Sequence, residues 1–202
     1  MLVAIAAEND DYDVTVYQAL LRLVLGPEVE AWRGHDMRFG GVGSVIKLGR
    51  PFLQRASAHG IVHALLAIDN DGGLRRHPEH SADHSPLLQA ADSDGCRWCR
   101  LAQEVPAGWN VGANKHCIAV PVQTIETWLL VARGDEFANP VPEMNFARAV
   151  LKKKLLGQGV KPPSAERVRI GLGALTLEGA IARLRQRPSF QLLEAQLADW
   201  RP

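Results

Sequence analysis

The chain has 202 residues, 47% of them hydrophobic, enough to bury a sizeable core in one domain with appendages. Its formal net charge is +1, which excludes a uniformly polybasic nucleic-acid binder. Its three cysteines, Cys96, Cys99 and Cys117, are too few and odd in number for a disulfide framework, and suit a reducing, cytoplasmic setting.

Leu2 to Ala7 is a short apolar run and predicts the first strand. It lacks a basic leader and runs into Glu8, Asp10 and Asp11, so a strand is expected rather than a signal peptide. Val14, Tyr17, Leu21 and Val24 then recur at helical spacing, until Gly26 and Pro27 stop the pattern. Val29 to Trp32 fits a short second strand. Gly34 to Gly43 is rich in glycine but lacks the GxxxxGK-S/T pattern, so it is not a phosphate-cradling P-loop. Ser44 to His59 predicts a helix through Val45, Leu48, Leu53 and Ala56, with Pro51 marking a kink or a late start.

Ile61 to Ile68 is apolar except for His63 and reads as a strand buried on both faces, as in a parallel sheet. It halts at Asp69, Asn70, Asp71, Gly72 and Gly73. His116 to Val122 predicts another strand, and Thr124 stands where it could cap a helix over Ile125 to Arg133. Asn145 to Leu156 reads as a basic amphipathic helix. Ser164 to Arg169 begins a further helix, and Thr176 to Gln186 and Ser189 to Trp200 close the chain. No segment has the apolar length that a membrane span needs.

Strands that alternate with helices predict an α/β fold with a parallel sheet flanked by helices. The expected division is an α/β domain over residues 1–133, with an insert at 72–115, and a helical, basic extension over 134–202 packed on it. Glu8 then stands at the carboxyl end of the first strand, and Asp69 and Asp71 at that of a later one. Those ends share one edge of a parallel sheet, where open α/β sheets place their ligands. Three carboxylates converging there suit Mg²⁺ or Mn²⁺. Asp10, Asp11 and Asp13 are expected to be solvated residues of a helix start.

A glutamate after the first strand and a DxD after a later one, here Glu8, Asp69 and Asp71, resemble the signature of the Toprim superfamily. The run from Val120 to Leu130 (VPVQTIETWLL) and Pro188-Ser189-Phe190 look similar to a defence-associated branch of Toprim-like proteins. Where Toprim glutamates are usually followed by glycine, this chain has Asn9, and asparagine tolerates unusual φ better than most residues. The resemblance implies a compact Toprim/Rossmann-like sheet and phosphoryl transfer on nucleic acid, with Glu8, Asp69 and Asp71 as catalytic metal ligands. It also makes Glu126 a candidate for a second metal, although a glutamate in the first turn of a helix can simply complement the dipole, which is the preferred reading. Topoisomerase chemistry would need a tyrosine nucleophile, and Tyr12 and Tyr17 lie in or beside the first helix with no strand-passage domain around them. The resemblance thus implies a hydrolytic nuclease as the expected activity, as one component of a bacterial anti-phage system. The alternative is a catalytically degenerate Toprim-like subunit that serves a partner protein.

The insert shows little regular pattern but contains His77, His80, His84, Cys96 and Cys99. A CxxC knuckle with two imidazoles can complete a tetrahedral structural Zn²⁺ site. His80 and His84 are the preferred partners of Cys96 and Cys99; His77 with His80, or Cys117, are alternatives. Trp98 and Trp109 are expected to pack the insert rather than stack on bases. Lys152, Lys153, Lys154, Arg183, Arg185 and Arg187 are expected to hold nucleic-acid phosphates.

Overall fold

Alternation along the strands decides the layering. The computed structural model describes residues 1–9, 11–34, 36–69, 97–109, 114–121, 124–135, 148–157 and 162–200. Four strands form one parallel sheet: β1 (Leu2–Ala6), β2 (Glu30–Trp32), β3 (His63–Ala67) and β4 (Lys115–Ala119), in the order β2-β1-β3-β4. Val3, Ile5, Ala7, Leu65, Ala67, Cys117 and Ala119 point to one face. Ala4, Ala6, Ala64, Leu66, Ile68, Ile118 and Val120 point to the other. Both faces are covered, so nearly every position of the central strands must be apolar.

Helix α1 (Tyr12–Leu25) packs on the first face, together with α4 (Ile125–Arg133). Helix α2 (Val42–Ala58) packs on the second, together with α3 (Arg97–Gly108). At Gly49 a Cβ would lie 3.1 Å from Leu66 Cδ2, so the absent side chain lets α2 sit close on the sheet. Pro51 lies inside α2, on its exposed side, so the helix does not start late. Helix α3 corrects the expectation of a largely patternless insert. Trp98, Leu101 and Val105 form its buried stripe, and Trp109 follows it into the same core as α2, as packing residues should.

The remaining helices are α5 (Arg148–Leu156), α6 (Ser164–Leu175), α7 (Ala180–Leu184) and α8 (Pro188–Leu197), followed by a 3₁₀ turn at Ala198–Trp200. Leu151, Leu155, Leu175, Leu184, Phe190, Leu193 and Trp200 join α1 and α4 in one continuous core. Trp128 of α4 is its centre, edge-on to both Tyr17 and Phe190, with its indole N–H donating to Ser189 Oγ at 2.9 Å. Among the described residues, no helix is long and apolar enough to cross a membrane.

The last helix also manages the sheet edge. An edge strand exposes backbone groups that can pair with other chains. Gln196 takes up that pairing at β4: Ile118 N–H donates to its Oε1 at 2.9 Å, and its Nε2 donates to Ile118 C=O at 3.0 Å. Lys115 reaches the Asp199 carbonyl from the same strand. Gln196→Ala should therefore cost about 1–3 kcal/mol, because it leaves two buried backbone groups without partners. Chemical denaturation checks this; an unchanged midpoint would mean that water replaces the side chain.

Candidate active site at the carboxyl edge of the sheet

From β1 the chain turns one way to β2 and then crosses back to β3, so the strand order reverses between β1 and β3. A crevice at such a reversal is where open α/β sheets bind ligands. Glu8 lies two residues past β1 and Asp69 two past β3, at the two sides of this point. The backbone N–H of Asp69 donates to Glu8 Oε1 at 2.7 Å. The structure thus joins these two residues, as the strand reading expected. Asp71 lies outside the described residues.

Asn9 gives the turn after Glu8 its shape. Its Oδ1 accepts from the N–H groups of Asp11 at 3.2 Å and Tyr12 at 3.0 Å, and its carbonyl accepts from Asp13 N–H at 3.1 Å. A glycine could not tie down the first turn of α1 in this way.

Asp69 is 5% exposed, and its Oδ1 accepts from Ile125 N–H at 2.9 Å. This corrects the capping expectation. Thr124 holds the N-cap position of α4, but its hydroxyl makes no capping bond and is buried with no hydrogen-bond partner. A carboxylate from 56 residues earlier takes its place. Arg97 at the start of α3 donates to the Asp69 carbonyl.

Glu126 and Asp13 complete the group. Glu126 is 3% exposed; its Oε1 lies 3.9 Å from Lys152 Nζ, and its Oε2 is buried with no hydrogen-bond partner. Full burial weakens the reading of Glu126 as a mere complement to the helix dipole. Asp13 is 9% exposed, which corrects its assignment as a solvated residue. The signal was one helical turn away, because Asp13 is four residues before Tyr17 and shares its buried face.

Burial pushes the Asp13 carboxyl up to about 7, helped by Glu126 and Glu8 and opposed by Lys152. Burial likewise holds Asp69 well above the ordinary carboxylate range, with Glu126, Asp13 and Glu8 adding to it and Lys152 opposing. The Tyr12 phenol is raised by burial and then by Glu126 and Asp13, although the Arg167 guanidinium lies 5.4 Å over its ring. Burial raises Tyr17 as well. Phenols held protonated are poor nucleophiles.

The donors are all oxygens, they carry excess negative charge, and one buried Glu126 oxygen lacks a partner. This chemistry fits a hard dication such as Mg²⁺ or Mn²⁺. Among the described residues, however, no group of three or more His, Cys, Asp or Glu side chains is disposed to hold a metal ion. Glu8 also borders an open cleft of about 430 Å³, shared with Asn9, Asp11, Arg33, Met37, Arg38, Phe39 and Gly40.

Cys96, His77, His80 and His84 lie outside the described residues. Cys99 is on α3. Cys117 is fully buried on the sheet face opposite α3, which removes it as an alternative zinc ligand. The basic residues of the extension are mostly engaged within the molecule. Lys152 faces Glu126, and Lys154 Nζ is 3.3 Å from Asp135 Oδ1. Arg183 donates from Nε at 3.0 Å and from a terminal nitrogen at 2.6 Å to the Ala132 carbonyl near the end of α4. Arg185 is 2.7 Å from Glu194. Lys153 is exposed and Arg187 half-buried. No known protein family, curated protein or solved structure matches the chain.

Proposed function

We propose that the protein is a metal-dependent phosphodiesterase of Toprim-like type that hydrolyses nucleic acid. The observation that carries this reading is the contact of Glu8 with Asp69 at the β1/β3 reversal, inside a buried group of carboxylates. A bound Mg²⁺ or Mn²⁺ would supply Lewis acidity and lower the pKa of water. Glu8 and Asp69 are the residues to hold it, with Asp71 added on its sequence spacing and Glu126 as the further candidate. Asp13, poised near neutrality, can take up or release a proton at its carboxyl. Lys152 offsets part of the negative charge. The raised phenols of Tyr12 and Tyr17 argue against a tyrosine-linked intermediate. A cytoplasmic location and a role in anti-phage defence belong to the same reading.

The test is cleavage of labelled DNA and RNA with Mg²⁺, Mn²⁺ or chelator. Cleavage that survives chelation would end the metal-dependent reading. A second reading keeps the fold and drops the chemistry: a degenerate subunit serving a partner protein. It is favoured by one observation, that Asp69 commits a carboxylate oxygen to the start of α4. Absence of cleavage on every polynucleotide, with partner proteins present, would select it.

Structural Zn²⁺ at Cys96 and Cys99 with His80 and His84 is proposed on their spacing. Metal analysis of the purified chain should find close to one zinc per molecule, and Cys96→Ser should lower both zinc content and stability. Zinc near zero would remove the proposal.

A further inference from the structure

We propose that the cleft beside Glu8 is a phosphate-binding site in which Arg33 and Arg38 hold a phosphate of the substrate. The proposal rests on the reading of the protein as a phosphodiesterase. The cleft encloses about 430 Å³. That is within the ~300–1,000 Å³ typical of small-ligand sites, so it suits one phosphate-bearing unit rather than a duplex. Its lining is largely polar and includes both arginines, with Met37 and Phe39 between and beside them. Both arginines are exposed. A guanidinium presents a planar fork of donors that matches phosphate oxygens.

The segment that carries them is anchored to the backbone that carries Glu8. Gly41 N–H donates to the Glu8 carbonyl at 3.0 Å, and Asn9 and Gly40 form an antiparallel bridge. Arg33 donates to Thr15 Oγ1 of α1 at 3.0 Å. Phe39 packs edge-on against Phe52 of α2, with ring centroids 5.3 Å apart. These ties fix the backbone that carries both arginines beside Glu8, and Arg33 is tied through its side chain as well. Their charge matters there, because a carboxylate cluster repels a polyanion and neighbouring cations offset the field. Lys154, Arg183 and Arg185 of the extension are poorer candidates, since they already face Asp135, the Ala132 carbonyl and Glu194.

The experiment measures binding of a fluorescein-labelled single-stranded oligonucleotide to the full chain in chelator, over a range of salt. Chelator separates binding from cleavage. Arg38→Glu should weaken binding about tenfold. It should also lower the salt slope by about one, as expected for one lost phosphate contact. Arg38→Lys keeps the charge but loses the fork, and should fall between. Arg169→Glu, on the exposed side of α6 and outside the cleft, should bind as wild type. Competition with orthophosphate and with a mononucleotide tells the sources apart: displacement by either at concentrations that match the oligonucleotide assigns the site to free phosphate or nucleotide. Binding unchanged in Arg38→Glu, or weakened equally by Arg169→Glu, would overturn the proposal. So would a wild type that binds neither oligonucleotide nor orthophosphate. Asp69→Asn should bind at least as tightly as wild type, because it removes a carboxylate that repels the polyanion, so its loss of cleavage tests the enzyme reading separately. Arg38-dependent binding without wild-type cleavage would keep the phosphate site and overturn the enzyme.

Discussion

Asp69→Asn is expected to lower cleavage on the order of a thousandfold while the protein still folds. A cation that stabilises a phosphoryl transition state contributes several kcal/mol, and each 1.36 kcal/mol is about a factor of ten in rate. The substitution removes one negative charge from the residue best placed to hold that cation. It leaves the architecture in place. Asparagine retains an Oδ1 to accept from Ile125 N–H, and the bond to Glu8 comes from the backbone of residue 69 and not from its side chain. Stability should rise slightly at neutral pH, because burial and then Glu126, Asp13 and Glu8 all disfavour the charged carboxyl. Asp69→Ala differs, since it also removes the cap of α4 and should cost about 1 kcal/mol. Cleavage assays and thermal melts on the two variants separate charge from shape. Glu8→Gln should behave like Asp69→Asn. An Asp69→Asn protein that cleaves at the wild-type rate would place the chemistry elsewhere.

The metal-free protein should be less stable at pH 8 than at pH 5, and Asp13→Asn should remove much of that difference. The Asp13 carboxyl is pushed from 3.8 up to about 7 in the folded chain, by burial first and then by Glu126 and Glu8, against Lys152 and a backbone hydrogen bond from Asn9. Below pH 3.8 both folded and unfolded chains carry the proton, so the favourable contribution is fully present. As pH rises toward 7 the unfolded chain releases its proton while the folded chain keeps it, and stability falls. Above that the loss is complete, at roughly 4 kcal/mol before relaxation of the cluster reduces it. Asp69 acts in the same direction. Asn at position 13 cannot ionise, so the variant should melt several degrees higher than wild type at pH 8 and near it at pH 5. Added Mn²⁺ should raise the melting temperature more at pH 8 than at pH 5, because protons and the cation compete for the same carboxylates. A wild type that gains stability toward pH 8, or an Asp13→Asn variant with the same pH profile, would remove Asp13 from the cluster.

The elements that were legible in the sequence are those whose burial is written in their own residues. Leu2–Ala6 and His63–Ala67 are apolar at almost every position because helices cover both faces of the sheet. Helix α4 runs from Ile125 to Arg133, the bounds expected of it, and Gly134 ends it in the left-handed region. Helix α3 was hidden, because Trp98, Leu101 and Val105 are spaced among polar residues and Pro106, and few apolar positions mark the stripe.

The residues of the strands and helices specify the parallel α/β sheet, its flanking helices and the meeting of Glu8 with Asp69 at its carboxyl edge. Tertiary structure alone decided which carboxylates are buried together and which groups they face. Local rules gave Thr124 the cap of α4, and the fold gave it to Asp69. Local rules left Asp13 in solvent, and the fold closed it in beside Glu126 and Lys152. The same rules assigned the lysines and arginines of the extension to phosphate, where the fold turns Lys152, Arg183 and Arg185 onto groups of the protein. The reason is physical. A strand's burial follows from its own side chains, whereas the charge state and partners of an acidic or basic group depend on what the chain brings beside it, here from 61 residues away for Glu8 and Asp69.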